Sequence, residues 1–150
     1  IAHEHFASER ISDVLRAARL RFEETATGPL VALATLPGES HGLGVQMAAL
    51  VLASRGLRIL SLGTEVPVGE IAALVDHTGA SAVAISVSRA SARDAAAPLA
   101  ALRRALPRRV ELVLGGAGAP MGVRGAVVLG ALRDLDAWAE AHARSASRRQ

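Results

Sequence analysis

At 150 residues the chain has the size of one domain and is long enough to bury a core. Hydrophobic residues make up 51% of it but aromatics only 2%, so the core is built from Ala, Val, Leu and Ile, which suits helices packed on a buried sheet. The net charge of +3 rests on seventeen basic residues, all of them Arg, and the lack of cysteine excludes disulfides, thiolate nucleophiles and Cys-type metal sites.

No apolar run approaches the ~18 residues of a membrane span, so no membrane partner is expected, and the absence of Cys fits a cytoplasmic setting. The chain opens at Ile1 with neither an initiator Met nor a signal-peptide pattern and reads as a piece of something longer. The arginines cluster at Arg103-Arg104 with Arg108-Arg109, and at Arg144 with Arg148-Arg149. The first cluster ends a helix-like run, where cations suit the helix dipole. The second lies in a Ser/Arg stretch, 145–150, that reads as a disordered tail. No helix-turn-helix pattern or interleaved aromatic accompanies them, so DNA contact is expected only through a domain outside this chain.

In chain order, Glu4–Glu24 reads as an amphipathic helix with Phe6, Ile11, Val14, Leu15, Ala18 and Phe22 on one stripe. Such a helix ahead of an α/β domain wants a partner, either further helices or the sheet domain itself. Residues 25–29 read as a linker. From residue 30 short β-branched runs alternate with helix-like ones. The expected strands are Leu30–Leu36, Leu57–Leu62, Ala82–Val87, Val110–Leu114 and Gly125–Leu129. The expected helices are Val45–Ser54, Val68–Thr78, Ala92–Leu106 and Leu132–Arg144, with a helical stub in the Gly/Pro-rich stretch from Gly115 to Arg124. This alternation over 30–144 predicts an α/β fold: a flavodoxin-like (Rossmann-like), doubly wound, five-stranded parallel sheet.

Three turns at strand ends carry the chemistry. Glu39-Ser40-His41-Gly42-Leu43-Gly44 follows the first strand, Ser86-Val87-Ser88 the third, and Gly115-Gly116-Ala117-Gly118 the fourth. In a doubly wound sheet those strands are central, so their carboxyl-end loops converge on one crevice. Small residues at all three leave a slot, and glycine lets a ligand approach the backbone closely. A histidine with a carboxylate two residues before it and glycines around it is suited to hold a metal, the acid taking the proton on its other ring nitrogen. His41 is therefore the candidate metal ligand. His3, His77 and His142 read as surface histidines, and Trp138 as a packing anchor.

The pattern Glu-x-His-x-x-Gly, then a Ser turn, then Gly-Gly resembles the cobalamin-binding domain, whose usual forms are Asp-x-His-x-x-Gly, Ser-x-Leu (or Thr) and Gly-Gly. The resemblance covers residues 30–144. It implies that His41 is the lower cobalt ligand and Glu39 its partner. It further implies that Gly44 gives the nucleotide tail room, that Ser86 hydrogen-bonds its buried base and that Gly115 and Gly116 line the tail, with Ser40, Gly42, Leu43, Val87, Ser88 and Ala117 among the cofactor-binding residues. Two departures stand out: Glu for Asp at 39, and Ser88 where Leu is common. Ile1-Ala2-His3-Glu4-His5 followed by a helix resembles the end of the helical cap in MerR-type, light-sensing cobalamin repressors (the CarH group). That resemblance implies that residues 1–24 end the cap, with Ile1, Glu4 and His5 facing the upper side of the corrin.

The function expected is a non-catalytic sensor: cobalamin, in its adenosyl or methyl form, binds the regulatory domain of a transcription factor and controls homo-oligomerisation and DNA binding. A corrinoid-carrying domain of a methyltransferase or mutase uses the same loop histidine and stands as the alternative. A related pocket with a changed ligand, such as haem, is a third.

Overall fold

The protein is described as a computed structural model covering residues 2–148, with the side chains of residues 7–146 and of Arg148. The elements in order are α1 (Ala2–Glu23), β1 (Leu30–Ala34), α2 (Leu43–Ser54), β2 (Arg58–Gly63) and α3 (Val68–Thr78). They continue with β3 (Ala82–Ser86), α4 (Ala96–Ala105), β4 (Glu111–Gly115), β5 (Ala126–Val128) and α5 (Leu132–Ser147). All strands pair in parallel in the order β2-β1-β3-β4-β5, the flavodoxin-like arrangement.

Side chains alternate across the sheet, so each strand feeds two cores. Val31 and Leu33 of β1, Ala82 and Ala84 of β3 and Val113 of β4 point toward α2 and α5. Ala32 and Ala34, Val83 and Ile85, and Leu112 and Leu114 point toward α3 and α4. Central strands apolar on both faces are what burial beneath two helical layers requires. On the α2/α5 side β3 offers only Ala82, Ala84 and then Ser86, so that face is shallow just where the helices cross it.

Several boundaries differ from the sequence reading. The stretch 91–95 is a turn rather than the first turn of α4, because Ser91 is bonded into the loops of the sheet edge. The Gly115–Arg124 stretch forms turns with no helical stub. Residues 145–147, read as the start of a disordered tail, continue α5. α1 packs against α2, but Ile11, Val14 and Phe22 of its apolar stripe are exposed, Val14 to 68%. Its half-buried positions are instead Ser12, Leu15, Ala18, Arg19 and Glu23, with an Arg19 Nε–Glu23 Oε1 pair at 3.0 Å. No helix among the described residues is long and apolar enough to cross a membrane.

Candidate functional site

Because β1, β3 and β4 are adjacent, the turns that follow them lie side by side at the carboxyl edge of the sheet. Ser86 is in register with Gly115. The loop after β1 is pinned from within. The buried Thr35 hydroxyl donates to the Glu39 carbonyl at 2.5 Å and accepts from the Glu65 N–H at 2.9 Å. This holds the β1 loop against the turn after β2 and drives the Glu39 side chain inward.

Glu39 is 2% exposed, and its carboxylate organises the site. Oε1 accepts the His41 N–H at 3.0 Å and lies 2.6 Å from His41 Nδ1. Oε2 accepts the Ser88 N–H at 2.8 Å and a short bond from the Ser91 hydroxyl. Burial pushes this carboxyl up, but the Ser88 and Ser91 hydroxyls and the Ser88 and His41 N–H groups outweigh it and bring it down to about 2. The Ser88 hydroxyl exerts that pull from nearby without a hydrogen-bond partner of good geometry. A carboxylate that stays ionised accepts only, so His41 Nδ1 carries its proton toward Glu39. In the neutral imidazole the lone pair is then on Nε2, on a side chain 67% exposed. The histidine is thus clamped at one nitrogen and open at the other.

Where α2 begins, at Gly44 three residues beyond His41, a cavity of about 280 Å³ opens between the sheet and helices α2 and α5. Gly44, Ala48, Ala84, Ser86, Gly115 and Ala117 are among the small residues lining it, and Leu33, Val113, Leu132 and Leu135 are among the larger. Ser86 contributes the one polar side chain of the lining. Gly44 matters by absence: a Cβ there would lie within 2.4 Å of Ser86 Oγ. Gly116 has φ +99°, and a Cβ there would meet the Val87 carbonyl oxygen at 2.3 Å. The turn it forms stacks directly on β3, with the Gly118 N–H donating to that carbonyl at 3.0 Å.

The structure therefore brings Glu39, His41 and Ser88 into one network, and Gly44, Ser86, Gly115, Gly116 and Ala117 into the slot. Gly42 and Leu43 lead into α2 beside the slot, and Ser40 is exposed. Val87 turns its side chain into the opposite core under α3 and α4, so only its backbone serves the site. Ile1 and the side chains of Glu4 and His5 lie outside the described residues. Thr35 and Ser91 were not legible as site residues. The nearest signal is the serine run Ser86, Ser88, Ser91, whose third member closes the carboxylate's shell.

No protein-family model matches the chain. In sequence it is 37% identical over 128 residues, 79% of its length, to the HTH-type transcriptional repressor CarH of Myxococcus xanthus. It is 31% identical over 133 residues, 87% of its length, to the HTH-type transcriptional repressor CarA of the same organism. It spans less than half of either relative, 40% and 46%. Both are repressors rather than enzymes by name. In structure it is similar to a monomethylamine corrinoid protein of Methanosarcina barkeri, with a TM-score of 0.69 at 18% identity over 94% of this chain and 71% of that one. A cobalamin-binding protein of Desulfitobacterium hafniense gives 0.63 at 22% identity, over 87% of this chain and 66% of that one. The chain therefore has the α/β fold of corrinoid-binding proteins and resembles the cobalamin-binding domain of the CarH group of transcriptional repressors.

Proposed function

We propose that this chain is the cobalamin-binding sensor domain of a MerR-type transcriptional regulator, with His41 Nε2 as the lower cobalt ligand. The observation that carries this is the clamped, exposed histidine in the loop that leads into α2, whose first-turn residues Gly44 and Val45 line an apolar slot. Among the described residues no three His, Cys, Asp or Glu side chains gather to hold a metal. One imidazole offered alone suits a metal whose remaining ligands arrive with it, as in a corrin macrocycle. The slot suits the nucleotide tail: a flat aromatic base fits among small side chains, and Ser86 can hydrogen-bond it.

Glu39 sets the basicity and direction of His41, and Ser91 and Ser88 hold Glu39. Gly44, Gly115, Gly116 and Ala117 make room along the tail. In this reading residues 1–24 end a helical cap, 25–29 link it, and the α/β domain runs from Leu30. The likeness of Ile1, Glu4 and His5 to the end of the cap assigns them to the upper side of the corrin, and α1 packs on α2, whose first-turn residues Gly44 and Val45 line the slot. Bound there in its adenosyl or methyl form, the cofactor would supply cobalt chemistry with a labile upper group. A cap resting on that side would pack differently with and without the group, which would bias homo-oligomerisation and hence DNA binding by a domain outside this chain. The regulator would act in the cytoplasm.

Titration with adenosylcobalamin, read by visible absorption, tests the assignment. The wild-type chain should give the spectrum of a corrinoid with its own base displaced and imidazole bound. His41→Ala should lose that form while keeping its far-UV circular dichroism. An unaltered spectrum in His41→Ala removes the ligand assignment, and no corrin absorption in the wild-type chain removes the function.

A further inference from the structure

At the opposite end of the sheet a second polar cluster surrounds a buried histidine where the sequence suggested only a surface one. His142 of α5 is 6% exposed. Its Nδ1 lies 3.2 Å from Glu111 Oε1 and its Nε2 lies 2.8 Å from the Ser81 hydroxyl. Trp138, one turn earlier, donates its indole N–H to Glu111 Oε2 at 3.1 Å and stacks on the imidazole, with ring centroids 4.5 Å apart and planes 19° from parallel. Ser81 immediately precedes β3 and Glu111 opens β4, so one carboxylate and one hydroxyl tie α5 to two central strands at their amino ends. The Ser81 N–H donates to the Leu30 carbonyl at 2.8 Å, which extends the tie to β1.

The same helix forms a wall of the slot. Leu132 and Leu135 line the cavity from its first turn, with Ala131 just before it. Leu135, Trp138, Ala139 and His142 recur at helical spacing on one face. At its first turn that face borders a cavity of about 280 Å³, while Leu135 and Ala139 also pack in the core with β1, β3 and α2. A helix bordering a void at one end needs its position set at the other, because apolar contacts alone would let it settle into the space. Charge-assisted and aromatic contacts are directional and resist that movement. Two turns, about 10 Å, separate Leu135 from His142, short enough for a helix to act as a rigid lever.

We propose that Trp138, His142, Glu111 and Ser81 form an anchor that holds α5 off the sheet and sets the width of the slot, making His142 and Glu111 positioning residues for whatever occupies it. The corrinoid part of this rests on the function proposed above: the anchor governs affinity for the nucleotide tail and leaves the cobalt–His41 bond untouched.

The test uses the full chain as wild type, His142→Leu and the milder Glu111→Gln, whose side chain is half exposed and whose loss spares the core. Hydrogen exchange without ligand reads α5 directly. The amides of residues 133–138 should exchange at least tenfold faster in both variants, with those of α3 unchanged. Binding is then compared for cobalamin and for cobinamide, which lacks the tail. Affinity for cobalamin should fall about tenfold or more, and that for cobinamide by less than about twofold. Unchanged exchange in Glu111→Gln overturns the anchor. Equal losses for both corrinoids, or no loss, overturn its role at the tail. If the wild-type chain bound neither corrinoid, the corrinoid reading and the tail role would fall together, and the exchange rates would still decide the anchor.

Discussion

Replacing Glu39 by Gln asks whether the carboxylate is what holds the histidine loop. Both carboxylate oxygens accept, from His41 N–H and Nδ1 on one side and from Ser88 N–H and the Ser91 hydroxyl on the other. A carboxamide of the same size has one acceptor and one donor end. Whichever way it turns, its NH₂ faces the backbone N–H of His41 or of Ser88, and neither can reverse. Losing one charge-assisted bond while leaving a buried donor unmet costs about 2–3 kcal/mol. The same hydrogen bonds hold the carboxyl at about 2 in the folded chain, against an ordinary value of 4.5, so their loss is also read in the pH dependence. Since the folded-state value lies below the unfolded one, the stabilisation is complete above about pH 4.5 and fades as pH falls toward 2. Urea unfolding followed by circular dichroism should show Glu39→Gln less stable than wild type by about 2–3 kcal/mol at pH 7. The gap should shrink between pH 4.5 and 2. A gap under about 0.5 kcal/mol at pH 7, or one that does not change with pH, refutes the reasoning.

Other substitutions probe the slot and the core. Gly44→Ala pushes a methyl group against Ser86 Oγ, and a double-mutant cycle with Ser86→Gly in urea should give a coupling of about 1–2 kcal/mol, the clash disappearing with the hydroxyl. Gly116→Ala combines a positive φ with a clash on the Val87 carbonyl, so it should cost more than about 2 kcal/mol by thermal unfolding. Leu99→Ala opens a void under α4, remote from the slot, where the side chain is fully buried. It should cost about 2–5 kcal/mol while leaving cobalamin affinity of the folded chain within about twofold.

The layout of the site was legible because it depends on local periodicity. Runs of β-branched residues alternating with Ala/Leu-rich helices dictate parallel strands, and parallel strands place every loop such as 37–42 at the carboxyl edge. Glu39 two residues before His41 is likewise a local relation, and it survives as the 2.6 Å contact. What distance along the chain conceals is who else joins. Ser91 reaches Glu39 across 52 residues and Thr35 holds Glu65 across 30. His142 finds Ser81 across 61. A serine or histidine has no periodic signature, so its partners exist only once the strands are laid side by side.

The stripe on α1 shows the same division from the other side. Its spacing specified an amphipathic helix, yet packing on α2 leaves Ile11, Val14 and Phe22 in the open and half-buries Arg19 with Glu23. Helical periodicity is written in neighbouring residues and determines that the helix forms; which face is covered depends on the shape of the partner surface, a property of the assembled tertiary structure. The slot follows the same logic. Ala84 and Ser86 are in the sequence, but they line a cavity only once β3 lies between its neighbours with α2 and α5 across that face.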